Sequence, residues 1–210
     1  MEIKTILYDL DGVLVDACDW HYEAFNMALL SAAGCQILRA EHESTFNGLP
    51  TKQKLDILES QGRIKRDDFE KIWKLKQEFT LEVIKKNVTM DHEKIKLHTT
   101  TREMGIVSAC VTNSISESAH LMLEGTGQLQ FMDFVIGSDN VKNPKPSSEP
   151  YVRAMIRLSS PPDETLIVED SDKGFAAAIG TGSTVMRVQN AVQVTLENIM
   201  TILTREASDT

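Results

Sequence analysis

Apolar runs that stop abruptly on acidic or hydroxyl residues recur along this chain. The run Ile6-Leu7-Tyr8, entered from Ile3, stops at Asp9-Leu10-Asp11-Gly12. Residues 106–111 stop at Thr112-Asn113-Ser114, residues 134–137 at Ser138-Asp139, and residues 166–168 at Glu169-Asp170; residues 184–188 make a fifth run. Short continuous apolar runs predict strands buried on both faces, as in the interior of a parallel sheet. Between them the spacing turns helical, with one stripe at Tyr151, Ala154, Met155 and Leu158 and another at Val192, Leu196, Ile199 and Leu203. Strand therefore alternates with helix. That order predicts an α/β fold, a parallel sheet flanked by helices, with the polar strand ends gathered along one rim.

Residues 17–87 break the alternation, because the pattern there is helical throughout. Phe69, Ile72, Trp73, Phe79, Val83 and Ile84 fall largely on one face of a long helix, and Trp20, Ala24, Met27 and Ala28 on another. A helical insert after the first strand is expected, giving a core of residues 1–16 with 88–210 and an inserted α-helical cap domain of residues 17–87. Aromatic residues at helical spacing are assigned to packing, so Phe69 and Trp73 receive no functional role. No repeat or low-complexity run occurs, and residues 205–210 are expected to form a frayed tail.

With 210 residues, 41% of them hydrophobic, the chain can bury a full α/β core and a smaller second unit. Its three cysteines, Cys18, Cys35 and Cys110, are odd in number and widely spaced, which indicates neither a disulfide framework nor a zinc site. The start lacks a signal-peptide pattern and no apolar stretch approaches the ~20 residues that span a bilayer. A cytoplasmic protein with no membrane partner, a monomer or weak homodimer, is expected. The net charge of −9, from 31 acidic and 22 basic residues, argues against a nucleic-acid partner. A small phosphate remains a possible ligand, provided local cations hold it.

Asp9 and Asp11 stand two apart where a buried strand ends, so both side chains project on one side if the extended geometry persists, and Gly12 lets the chain turn away. Like charges held close raise each other's pKa unless a cation neutralises them, which implies a metal or a cationic side chain nearby. The alternative for an isolated Asp-x-Asp is a solvated turn or cap. Glu169-Asp170-Ser171 likewise reads both as acidic ligands and as a helix N-cap before residues 173–180.

Taken in order, Asp9-x-Asp11-Gly12-Val13, Thr112-Asn113-Ser114, Lys145-Pro146 and Glu169-Asp170-Ser171-x-x-Gly174 resemble the four motifs of the haloacid dehalogenase (HAD) superfamily. The resemblance covers nearly the whole chain. The insert after the first motif further resembles the subgroup that contains β-phosphoglucomutase and phosphoglycolate phosphatase. It implies a Rossmann-like core, a mobile helical cap, bound Mg²⁺ and an aspartyl-phosphate intermediate. Asp9 would be the nucleophile, a carboxylate able to form an acyl phosphate. Asp11 would be the general acid and then the base. Mg²⁺ would take carboxylate oxygens of Asp9 and Asp170 and the backbone carbonyl of Asp11, with Glu169 a direct ligand, a ligand through water, or an orienting group.

Phosphoryl transfer needs its oxygens positioned and their charge stabilised. Thr112 offers a hydroxyl, and Asn113 and Ser114 offer backbone N–H groups at a helix start. Ser114-x-x-Glu117 also fits a capping box. Lys142 and Lys145 are both candidates for the cation; Lys145 is chosen because Lys-Pro-x-x-Glu-Pro-Tyr resembles the family's third motif. In the insert, His21 stands where the subgroup often has a substrate-side His, Gly48 resembles the cap loop that faces the substrate, and Lys52 and Lys76 are candidate cap cations. Gly48 reads equally as a helix stop.

Two departures stand out. Val88-Thr89-Met90-Asp91-His92 lacks the Pro-Gly pair of many relatives, and Thr51 stands where the mutase pattern carries Arg. The expectation is an Mg²⁺-dependent phosphatase acting on a small phosphorylated metabolite, a sugar or polyol phosphate, with a phosphomutase of the β-phosphoglucomutase type as the alternative. A receiver-type phospho-acceptor domain is a more distant reading, since such domains lack a helical insert after the first strand.

Overall fold

A computed structural model describes residues 2–46 and 49–208, with side chains through residue 204. Its elements run β1 (Thr5–Tyr8), α1 (Cys18–Ala33), α2 (Arg39–Glu41), α3 (Thr51–Ser60), α4 (Phe69–Asn87), α5 (His92–Glu103), β2 (Val107–Val111), α6 (Ser116–Gly125), β3 (Val135–Ile136), α7 (Glu149–Leu158), β4 (Thr165–Glu169), α8 (Asp172–Ile179), β5 (Thr184–Arg187) and α9 (Leu196–Ser208). The chain divides into two compact units, Met1–Asp16 with Val88–Thr210, and Ala17–Asn87.

The first unit is a five-stranded sheet in the order β3-β2-β1-β4-β5, with every pairing parallel. β1 takes the centre because all four of its residues are buried. On one face Leu7, Ala109, Val111, Ile136 and Ile167 meet Tyr151, Ala154 and Met155 of α7 and Ala177 and Ala178 of α8. Each large apolar side chain buried there contributes about 1.5–3 kcal/mol relative to exposure. The strand order reverses direction at β1, so the crevice beyond the carboxyl ends of β1, β2 and β4 is where ligands collect in such sheets. The expected α/β, Rossmann-like architecture is present.

Local signals explain the helix starts. Ser171 accepts from the Gly174 N–H at 3.0 Å to cap α8. Asp91 accepts from the Lys94 N–H at 2.9 Å to cap α5, and its own N–H donates to the Thr126 carbonyl, so this junction is tied down without a Pro-Gly pair. Two expectations about α9 fail. Val192 is 81% exposed in a short 3-10 turn rather than on the helix, which begins at Leu196 and buries Ile199 and Leu203. The helix also continues to Ser208, through most of the expected tail.

The second unit is helical. Its core gathers Phe25, Ala28, Leu29, Ile37, Phe46, Leu55, Leu58, Ile64 and Ile72, with Phe69 and Phe79 packed against it. Residues His42–Phe46 form a single π-helical turn after α2. Trp73, placed by its spacing on the buried face of α4, is 52% exposed. Periodicity assigns a residue to a face without supplying a neighbour to cover it. No helix among the described residues is long and apolar enough to cross a membrane.

Candidate active site

β1 delivers the first acidic pair. The Asp9 N–H donates to the Val168 carbonyl at 3.0 Å, so the sheet grips the chain one residue past β1. The chain then folds on itself, with the Leu10 carbonyl accepting from Val13, Leu14 and Val15 at 3.2, 2.9 and 2.9 Å and the Gly12 N–H donating to the Val15 carbonyl at 2.8 Å. Gly12 has φ +80°, and a Cβ there would stand 2.2 Å from Asp170 Oδ2. Backbone angle and lack of space both require glycine. Asp11 is brought to β2 by Ser114, whose hydroxyl donates to Asp11 Oδ2 at 2.7 Å.

Lys145 organises the remaining charge. Its Nζ donates to Asp9 Oδ1 at 2.8 Å and to Glu169 Oε1 at 2.5 Å, with Asp9 7%, Lys145 5% and Glu169 0% exposed. The ammonium also lies 4.7 Å from the centre of the Tyr151 ring. The lysine's backbone is clasped at two points, because Asn113 Nδ2 donates to the Lys145 carbonyl and the Lys145 N–H donates to Asn113 Oδ1, each at 3.0 Å. Lys142, the other candidate, is exposed, and its N–H is bound by Glu149. Burial alone would lower the Lys145 pKa, but Asp9 and Glu169 outweigh it and hold the pKa above the ordinary lysine value.

Glu169 has all its capacity taken. Oε1 accepts from Lys145 and from the Tyr151 hydroxyl at 2.6 Å; Oε2 accepts from the Asp170 N–H at 3.2 Å and Ser171 Oγ at 3.3 Å. Four donors on two oxygens saturate a carboxylate. These bonds make Glu169 the residue that holds Lys145, while its carboxylate still stands among the oxygens grouped with Asp9 and Asp170. A Cβ on Gly174 would come within 1.8 Å of Oε1, so the first turn of α8 must be bare to admit this carboxylate.

Oxygen atoms of Asp9, Glu169 and Asp170 lie within 4.8 Å of one another. One ammonium faces three carboxylates, leaving two negative charges for a hard cation to balance. Burial first, then the charge of Glu169, raises Asp9 well above the usual carboxylate range and raises Asp170 to about 6. An all-oxygen, under-neutralised donor set fits Mg²⁺, with Asp9 and Asp170 as the carboxylates that would hold it.

The second motif is rearranged relative to expectation. Thr112, 2% exposed, accepts the Ser114 N–H on Oγ1 at 3.0 Å, so that N–H is already used. Ser114 does not start a capping box either. α6 begins at Ser116 behind Ile115, and Asp139 Oδ1 accepts from both the Ser116 N–H and its hydroxyl at 2.8 Å. An acid from a neighbouring loop has replaced the local cap. Asn113 acts through its side-chain amide on Lys145. In the helical unit, His21 is half-buried on α1, Lys52 is exposed on α3 and Lys76 is half-buried on α4. Gly48 lies outside the described residues. Nothing in the local sequence marks Asn113's clasp or Asp139 as supporting the site; Tyr151 alone carries a signal, as a phenol on an otherwise apolar helix face beside the lysine motif.

A family model for haloacid dehalogenase-like hydrolases matches residues 6–188. The pyrophosphatase PpaX of Halalkalibacterium halodurans is 26% identical over 190 residues, covering 87% of this chain and 81% of that protein. A phosphorylated carbohydrates phosphatase of Thermotoga maritima is 27% identical over 183 residues, covering 86% and 82%. A crystal structure of β-phosphoglucomutase from Clostridium difficile superposes with a TM-score of 0.78 at 21% identity, covering 98% of this chain and 99% of that one, a likeness of fold.

Proposed function

Because the chain belongs to the haloacid dehalogenase-like hydrolases, we propose that it is an Mg²⁺-dependent phosphatase that releases inorganic phosphate from a small phosphorylated metabolite, a sugar or polyol phosphate, through a phosphoryl group carried on Asp9. The observation that supports it most is the buried Lys145 bridge between Asp9 and Glu169, which sets a fixed cation on the proposed nucleophile, Asp9. Its Oδ1 carries the Lys145 bond, leaving Oδ2 to attack phosphorus. Asp11 gives its proton to the departing alkoxide, then takes a proton from the water that attacks the acyl phosphate, returning Asp9 as carboxylate and phosphate as product. Lys145, the Thr112 hydroxyl and the Asn113 backbone N–H stabilise the equatorial oxygens. Bound Mg²⁺ would be held by Asp9, Asp170 and the Asp11 carbonyl and would neutralise substrate phosphate; Asp9 needs that charge to be ionised, given its raised pKa. Residues 17–87 are proposed as the cap, with His21, Lys52 and Lys76 as candidate substrate contacts.

The test is phosphate release from a panel of hexose, triose and polyol phosphates, with pyrophosphate included, in the presence and absence of Mg²⁺. Metal-dependent release that Asp9→Asn abolishes, with hydroxylamine converting Asp9 of the wild-type protein to its hydroxamate during turnover and expelling phosphate, supports the reading. Turnover surviving in Asp9→Asn, or metal-independent release, overturns it. Conversion of a hexose 1-phosphate to its 6-phosphate faster than phosphate release would instead establish the mutase.

A further inference from the structure

We propose that Gln128 and His98 are positioning residues for proton transfer at Asp11, an inference that rests on the acid and base role given to Asp11 above. The loop after β1 is anchored differently at its two ends. Asp9 is fixed by the sheet, through Val168, and by Lys145. Residues 11–15 fold mainly on themselves, closing with a bridge between Asp11 and Val15. The carbonyl of Leu14, within this fold, accepts from Gln128 Nε2 at 3.1 Å. Gln128 is fully buried after α6, and its Oε1 lies 3.0 Å from His98 Nε2.

The chemistry of these partners fixes the whole relay. A peptide carbonyl only accepts, so the Gln128 amide must turn its NH₂ to Leu14 and its oxygen to His98. His98 must then carry its hydrogen on Nε2. Its Nδ1 is buried with no hydrogen-bond partner, so the ring is neutral. The ring itself cannot drift, being edge-on to Tyr8 at 5.3 Å and stacked on Phe131 at 5.7 Å. Tyr8 is the residue before Asp9. One buried imidazole thus sits against the strand that carries Asp9 while, through Gln128, it sets the height of the segment that carries Asp11. Loss of the strut displaces Asp11 relative to Asp9 without touching either carboxylate.

The readout is the ratio of kcat/KM for β-glycerol phosphate, whose alkoxide needs a proton, to kcat/KM for p-nitrophenyl phosphate, whose phenolate does not. The ratio cancels any loss of folded enzyme. Gln128→Met removes both bonds of the strut together with the bond from Gln128 Nε2 to Thr126 Oγ1 at 2.9 Å, and His98→Phe keeps the ring contacts while removing the donor. Both are expected to lower the ratio about tenfold, the scale of a sub-ångström misplacement of an acid, and neither should lower it further in an Asp11→Asn background. An equal loss on both substrates, or a loss that adds to that of Asp11→Asn, overturns the inference. If Asp11→Asn itself leaves the ratio unchanged, the role of Asp11 falls and this inference falls with it; a ratio lowered by Asp11→Asn and unmoved by Gln128→Met overturns the inference alone.

Discussion

Ser114 Oγ donates to Asp11 Oδ2 at 2.7 Å, tying the loop after β1 to the loop after β2. Ser114→Ala removes a hydrogen bond to an ionisable group, a contribution of about 1.5–3 kcal/mol in typical cases. Expressed on the transition state, kcat/KM for an alkyl phosphate should fall at least about tenfold. Steady-state kinetics on β-glycerol phosphate check this, and an unchanged value would remove Ser114 from the proton-transfer geometry.

Gly174 faces the Glu169 carboxylate so closely that a methyl group would stand 1.8 Å from Oε1 and 2.0 Å from Oε2. A glutamate can usually swing away, but this one is held by Lys145, Tyr151, Ser171 and the Asp170 amide. Gly174→Ala should therefore break the hold on Lys145 and destabilise the protein by several kcal/mol, roughly the cost of leaving a buried charge without its partner. Thermal unfolding and phosphatase rates should fall together. A protein of unchanged Tm and rate would mean that Glu169 has room to move.

Much of this was legible in the order of residues. Apolar runs ending at Asp9, Thr112 and Glu169 announce buried parallel strands, because a strand covered on both faces has no reason to alternate. The motif order then sets Asp9, Asp11, Lys145 and Asp170 on one rim. Supporting bonds are less legible, since they join residues far apart in the chain. Asn113 clasps Lys145 across 32 positions and Gln128 reaches Leu14 across 114. Ser114 illustrates the limit: its local sequence offers a cap to α6, but Asp139 supplies the cap and Ser114 turns to Asp11.

Asp170 titrates near 6 in place of its usual 3.8, chiefly through burial and then through Glu169. A carboxyl with a folded-state pKa above its unfolded value favours the fold at low pH, and that contribution is lost as pH rises through 6. A metal that binds the carboxylate reverses the penalty, so Mg²⁺ should raise Tm at pH 7.5 and do little at pH 5, where Asp170 is protonated. Calorimetric scans with Mg²⁺ and with EDTA at both values, repeated on Asp170→Asn, make the check. Equal Mg²⁺ shifts at the two pH values, or an undiminished shift in Asp170→Asn, would exclude Asp170 as a ligand.

His98 behaves in the opposite sense. Burial first, with Lys94 adding to it, lowers its pKa from 6.5 to about 4, against the pull of Gln128 and Asp91. The unfolded chain therefore binds a proton that the folded chain refuses between these values, and stability is lost as pH falls from 6.5 toward 4. The full loss is on the order of 3 kcal/mol at about 1.4 kcal/mol for each tenfold change in proton affinity. His98→Phe retains the packing against Tyr8 and Phe131 and has no proton to gain. Because Asp170 and other carboxyls titrate in the same window, the informative quantity is the difference between the two proteins. Urea unfolding at pH 7.5 should favour the wild type, which keeps its bond to Gln128, and the gap should narrow steadily at pH 6, 5 and 4.5. A gap that is constant over this range would show that His98 takes up its proton as readily in the fold as in the unfolded chain, and that its Nδ1 has found an acceptor.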